Sequence, residues 1–198
     1  MITIAIQAGG RSSRMWRDKG TVKLGNLALI EHVLKQLSGL GDEVIITTNQ
    51  PENYDYLGVP LYSDPKPGVG AAYGLQTALE AAKGETVLVA ACDMPFVQPQ
   101  LAQYMLEQLS TGTDVVVPLQ EGHYEPMLAV YRRETCLPAL RLALNQGMMR
   151  LIAFYPQVQV HTVLDSELNQ LDPDGTSFFN VNTPADLAVA EKMLDAQN

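Results

Sequence analysis

Ile2-Thr-Ile-Ala-Ile6, followed by Gln7-Ala-Gly-Gly-Arg-Ser-Ser-Arg-Met-Trp-Arg-Asp-Lys19, opens the chain. The short, continuously apolar run is that of a buried strand, and it breaks at a double glycine. Glycine lets the backbone approach a ligand closely and leaves N–H groups free to meet phosphate oxygens. Arg11, Arg14, Arg17, Lys19 and Lys23 are five of the thirteen Lys and Arg residues, in a chain whose net charge is −9. A local basic cluster on an acidic protein suits a small polyanion rather than a nucleic-acid surface. Taken alone, Gly9-Gly10 is better read as an ordinary strand-to-helix turn with solvated arginines. The charge cluster and the motifs downstream turn the reading toward a triphosphate-holding loop.

Outward from this loop, strand and helix patterns alternate. Ala28 to Leu37 places apolar residues at 29, 30, 33, 34 and 37, a helical period. Glu43 to Thr47 and Thr86 to Ala91 are predicted strands, with Pro60 to Tyr62 a brief one between them. Pro51 to Leu57 is predicted as a short helix with Pro51 in its first turn. Ala71 to Ala82 and Gln98 to Leu109 are predicted helices, and Asp114 to Pro118 a further strand. Past the turn Gln120-Glu-Gly-His-Tyr124, Met127 to Tyr131 is predicted to run antiparallel. Thr135 to Asn145 reads as a helix, Val158 to Leu164 as a strand and Leu171 to Ser177 as a turn-rich loop. Thr183 suits the N-cap, Pro184 the first position and Asp186 the first turn of a last helix.

Alternation of this kind argues for an α/β domain with a mostly parallel sheet and right-handed crossovers. Short strands that are apolar throughout need cover on both faces. Ligands bind such sheets beyond the carboxyl ends of the strands. Gly9, Gly10, Asn49, Asp64 and Asp93 all fall just after predicted strands, so they converge on one edge. With no repeat or linker, residues 1–198 are expected to form a single domain.

Composition narrows the function. Cys92 and Cys136 are far apart and lack metal-type spacing, as do His32, His123 and His161. The cysteines read as reduced thiols of a cytoplasmic protein. No signal-peptide pattern is present, and no apolar run approaches the ~20 residues of a membrane span. The acidic balance argues against nucleic acid and membrane as partners.

The second chemical motif is Ala90-Ala-Cys-Asp-Met-Pro95. An aspartate at the carboxyl end of a buried strand projects into the cleft, and a hard oxygen ligand suits Mg²⁺. Alone, Asp93 is better explained by a turn or cap; beside a basic glycine loop, the metal reading is favoured. Asp64 precedes Pro65-Lys-Pro-Gly-Val-Gly-Ala-Ala-Tyr-Gly74, a loop that either packs against a base or ribose or is an ordinary turn. Asn49 can meet a base edge or serve a turn. Asn180 and Asn182 point the same way in an extended segment, toward a bound phosphate or into a helix cap. Gly122 to Met127 is an acceptor-side loop or a solvated hairpin, and Trp16 a ligand stack or an anchor.

Together these residues resemble the molybdenum cofactor guanylyltransferases, within the nucleotidyltransferases of GT-A-like fold. The family opens L-A-G-G-x-S-x-R-M-G-x-D-K, against Gln7 to Lys19 here. Its C-D-x-P matches Cys92 to Pro95, its E-P-x-x-A-V-Y-R-R-like segment Glu125 to Arg133, and its N-x-N-T-P-x-D/E-L Asn180 to Leu187. The resemblance implies a three-layer sandwich around a mostly parallel central sheet, a Rossmann-like nucleotidyltransferase domain over residues 1–198. It implies that Gln7, Ala8, Gly9 and Gly10 line the guanine and ribose side, and that Lys19 contacts the phosphates. Asn49 and Asp64 would hold the nucleoside and Asp93 Mg²⁺, with Arg14, Asn180 and Asn182 in support.

The implied reaction joins the GMP moiety of GTP to a molybdopterin-type acceptor and releases pyrophosphate. Transient contact with other cofactor-biosynthesis proteins is expected as well. Gln7 stands where the family has Leu, Trp16 where it has Gly, and Gly68-Val-Gly-Ala-Ala-Tyr-Gly74 where it has G-P-L-A-G. The alternatives are a nucleotidyltransferase that uses CTP or makes a nucleotide-sugar, and a catalytically silent nucleotide-binding protein on the same fold.

Overall fold

The computed structural model describes residues 1–8 and 18–196; residues 9–17, with Gly9, Gly10, Arg14 and Trp16, lie outside the described residues. The elements run β1 (Ile2–Gln7), β2 (Lys23–Leu24), β3 (Leu27–Ala28), α1 (Leu29–Leu37), β4 (Glu43–Thr47), β5 (Leu61–Tyr62), α2 (Ala71–Ala81), β6 (Thr86–Ala91) and α3 (Pro99–Gln108). They continue β7 (Val115–Gln120), β8 (His123–Tyr124), β9 (Leu128–Arg132), α4 (Arg133–Asn145), β10 (Val160–Val163), α5 (Asp165–Leu171) and α6 (Pro184–Ala196).

The large sheet has the order β10-β7-β9-β6-β1-β4-β5, with β8 paired to β7. β1 lies between β4 and β6, parallel to both, with Ile4 opposite Val44 and Leu88. β9 runs antiparallel to β6 and β7, as its sequence predicts. Alternate residues of β1 serve opposite layers. Ile4 and Ile6 pack with Val33, Leu37, Leu101 and Met105 of α1 and α3. Ala5 packs on the other face with Leu75, Leu79, Leu140 and Leu144 of α2 and α4. This is the three-layer, mostly parallel architecture that the apolar strands require.

Three local features differ from the sequence reading. The β2–β3 hairpin, turning at Gly25 with φ +59°, is not predicted from the sequence, and it takes Ala28 from the start of the predicted helix. Its Leu24 and neighbouring Leu29 are buried with Phe96, Val181 and Ala190, so α6 closes over this hairpin. Pro51 to Leu57 is not one helix but two 3-10 turns, Pro51–Asn53 and Asp55–Leu57, split where Tyr54 is driven into the core. Helix α5 was not predicted: its sequence is mostly polar, and only Leu168 is buried. It forms because Glu167 turns back to accept the Leu164 N–H (2.9 Å).

Candidate active site

The carboxyl edge of the sheet carries two groups of side chains. The first is built on Asp93, just beyond β6. Lys19 Nζ donates to Asp93 Oδ2 (3.1 Å) and also to Asn182 Oδ1. Both charged side chains are largely shielded, Lys19 20% and Asp93 13% exposed. Asn182 is held there because the preceding Val181 is fully buried and its N–H donates to the Asp93 carbonyl (2.9 Å). Three segments distant in sequence thus meet at one ammonium group. Asn180 does not join them; its amide donates to its own turn at the Phe178 carbonyl (3.0 Å).

Lys19 stands in a 3-10 turn, Lys19–Thr21, capped by Asp18, whose Oδ1 accepts the Gly20 N–H (3.3 Å). The Tyr54 hydroxyl donates to the same Oδ1, and Asn53 Nδ2 reaches Oδ2 (3.4 Å). Burial and the adjacent Asp18 push the Tyr54 phenol far above its ordinary range, so it stays a donor. Gly20 lies hard against this phenol: a Cβ there would fall 2.5 Å from the Tyr54 oxygen. Asp18 and Tyr54 therefore set the backbone from which Lys19 projects. Asp18 is visible in the opening motif, but nothing in the sequence reveals its pairing with Tyr54.

The second group follows β4 and β5. Asn49 Nδ2 donates to Asp64 Oδ2 and Asn49 Oδ1 accepts the Asp64 N–H, both at 3.0 Å. Thr77 of α2 donates to Asp64 Oδ1 (3.0 Å). This fixes the root of the 65–70 loop, where Lys66 lies over the Tyr73 ring. Thr77 was not anticipated; it sits inside a helical run with no mark of function. Gln7 ends β1 between these two groups, 5% exposed, and its Nε2 has no hydrogen-bond partner among the described residues. Its amide lies against α2 at Gly74, where a Cβ would come within 2.8 Å of Oε1. Ala8 is buried and donates to the Thr47 carbonyl (2.8 Å). Cys92 is a buried core residue whose thiol burial pushes well up.

Residues 4–161 match the family model described as MobA-like NTP transferase domain. The chain belongs to this family. It is 41% identical over 193 residues to a protein named probable molybdenum cofactor guanylyltransferase from Pelotomaculum thermopropionicum, covering 98% of this chain and 93% of the relative. A relative of the same name from Carboxydothermus hydrogenoformans is 35% identical, covering 98% and 95%. Among solved structures, molybdopterin-guanine dinucleotide biosynthesis protein A from Archaeoglobus fulgidus superposes with a TM-score of 0.84 at 29% identity, covering 98% and 99%. This NTP transferase is accordingly a nucleotidyltransferase, and the catalytically silent alternative is not favoured. Among the described residues, no helix is long and apolar enough to cross a membrane.

Proposed function

We propose that this transferase joins the GMP moiety of GTP to the terminal phosphate of a molybdopterin-type acceptor, forming molybdopterin guanine dinucleotide and pyrophosphate. The guanylyltransferase names of its relatives favour GTP over CTP and over nucleotide-sugar formation. The observation that carries the reading is the meeting of Lys19, Asp93 and Asn182 at the carboxyl edge. Asn49, Asp64 and the Gln7–Ala8 strand end would hold the nucleoside; from the motif alone, Gly9 and Gly10 join them on the guanine and ribose side and Arg14 supports the phosphates. Residues from 7 to 182 contribute, which supports reading 1–198 as one nucleotidyltransferase domain. The buried free thiols of Cys92 and Cys136 support a cytoplasmic setting.

Mg²⁺ fits the residues present. Among the described residues no three acidic, His or Cys side chains gather into a metal cage. Mg²⁺ needs none, because it takes one or two carboxylates and fills its remaining positions with phosphate oxygens and water. Asp93 has one carboxylate oxygen, Oδ1, that accepts no hydrogen bond among the described residues. When bound, the cation would withdraw charge from the α-phosphate and orient it. Lys19, held between Asp93 and Asn182, would supply a second positive charge beside the phosphates.

An acceptor phosphate oxygen attacks the α-phosphorus, a new P–O bond forms, and the bond to the β-phosphate oxygen breaks. The acceptor oxygen is already ionised, so no general base is needed. Positioning and neutralisation of the developing pyrophosphate charge supply the rate.

The test offers each of the four NTPs with metal-bound molybdopterin and Mg²⁺, and identifies products by mass spectrometry. GTP should give the guanine dinucleotide and pyrophosphate. EDTA should stop the reaction, and Asp93→Ala should lose turnover while melting like wild type. Preferential use of CTP, or near-native turnover by folded Asp93→Ala, would overturn the assignment.

A further inference from the structure

The turn that enters β9 holds a carboxylate, that of Glu125. Glu125 is half-buried, and its side chain accepts no hydrogen bond among the described residues. Its backbone is rigidly tied. The Glu125 N–H donates to the Pro118 carbonyl (3.0 Å), and its own carbonyl accepts the Leu128 N–H (3.0 Å). From beneath, the buried Tyr131 hydroxyl donates to the Pro126 carbonyl (2.9 Å). Partial desolvation without a partner is costly for a carboxylate and raises its pKa, eased only by the nearby His123. A fixed, partly dehydrated acid of this kind is preorganised for a ligand that brings its own donors.

Its place along the edge says which ligand. The Ala91 N–H donates to the Met127 carbonyl (2.9 Å), so this turn flanks the end of β6 on the side away from β1. The strand order then arranges the edge as Asp64 after β5, Asn49 after β4, Asp93 after β6, and Glu125 before β9. The nucleoside end and Glu125 lie on opposite sides of Asp93. Groups that flank the phosphate-handling centre opposite the nucleoside meet the acceptor.

We propose that Glu125 recognises the acceptor by accepting, through its two oxygens, paired hydrogen bonds from the 2-amino group and adjacent ring N–H of a pterin. This rests on the acceptor being a molybdopterin, as proposed above. A carboxylate matches such a two-donor fork in bidentate fashion. Guanine carries a similar fork, but on the reading proposed above it sits with Asn49 and Asp64, which the edge order puts on the far side of Asp93 from Glu125.

Two measurements test this on the full-length protein. In transfer assays, Glu125→Gln should raise KM for molybdopterin roughly 10- to 100-fold, the loss expected for a charge-assisted hydrogen bond, while KM for GTP holds. In fluorescence titrations, wild type should bind 6-hydroxymethylpterin more tightly than 6-hydroxymethyllumazine, which has an oxygen in place of the 2-amino group. Glu125→Gln should erase that preference. The lumazine comparison on wild type stands even if the variant fails to fold. An unchanged acceptor KM, a rise in KM for GTP instead, or equal binding of the two pteridines would overturn the role of Glu125 while transfer itself continues. Absence of both transfer and pterin binding in wild type would instead remove the function on which it rests.

Discussion

At the residue scale, the site is a set of charges held by buried partners. In the proposed mechanism Lys19 stabilises charge that develops on the departing pyrophosphate, so Lys19→Ala should lower kcat more than nucleoside affinity. The expected loss is about 2–4 kcal/mol of barrier, the range for one preorganised donor. Steady-state kinetics with GTP, set beside calorimetry with guanosine, separates the two; an intact kcat with lost guanosine binding would place Lys19 in the nucleoside pocket. Tyr54→Phe removes only the hydroxyl that donates to Asp18. It should lower kcat at saturating GTP and acceptor, and Asp18→Ala should cost less in that background than in wild type, because the two share the hydroxyl contact while Asp18 also caps Gly20 and meets Asn53. Additive losses in the double-mutant cycle would argue against this coupling. Gln7 carries a buried amide nitrogen without a partner among the described residues. An unmet buried donor costs about 1–3 kcal/mol, so Gln7→Leu should raise Tm, and a lowered Tm would show that the amide is satisfied in solution.

At the element scale, the edge stays in register because the connections pack without slack. Gly84 enters β6 against the first residues of the chain, where a Cβ would lie 2.7 Å from the Met1 carbonyl and 2.8 Å from the Thr3 nitrogen. Backbone cannot step aside as a flexible side chain does. Gly84→Ala should cost roughly 1–3 kcal/mol, read as a lower urea midpoint with m unchanged. Helix α6 opens as its sequence predicts: Thr183 Oγ1 accepts the Asp186 N–H (3.2 Å), and Asp186 accepts the N–H groups of Asn182 (2.9 Å) and Thr183 (2.8 Å). These bonds, the Asn182 N–H foremost, hold the Asp186 carboxyl below its ordinary 3.8. A depressed pKa contributes stability above the unfolded value, and that stability is lost as pH falls through the folded value. Wild type should therefore out-melt Asp186→Ala at neutral pH, with the gap closing as pH drops below 3.8. A gap that persists in strong acid would assign the effect to packing.

At the scale of the whole molecule, both cysteines lie within the layers and report on global opening. Cys92 is enclosed beside β6, and burial drives its thiol well up. Cys136, on the opposite layer, is pushed to about 12, again chiefly by burial. Thiolate is the reactive form, so neither should be alkylated by iodoacetamide at pH 8 in the native protein. Both should label together on unfolding, and fast labelling of Cys92 alone would reveal local opening of the β6 end. The same layering explains how residues so far apart in sequence form one site. Parallel strands bring the ends of β1, β4, β5 and β6 to one edge, and β9, antiparallel to β6, brings its beginning there too.

The sequence by itself determined the strand-and-helix alternation, the antiparallel run of β9, the start of α6 and the family, because each rests on local periodicity or a contiguous motif. It also named Lys19 and Asp93, since basic and acidic residues at strand ends stand out in a chain of this charge. Tertiary structure alone decided which side chains meet. Asn182 reaches Lys19 while Asn180 turns away, because the buried Val181 between them fixes the backbone on Asp93. Asn49 and Asp64 lock onto each other, Thr77 joins at Asp64, and Asp18 finds Tyr54, across gaps that no periodicity spans. Hydrogen bonds of this kind depend on where crossovers deliver atoms in space. Composition can supply the partners, but only the packed sheet brings them within 3 Å of each other.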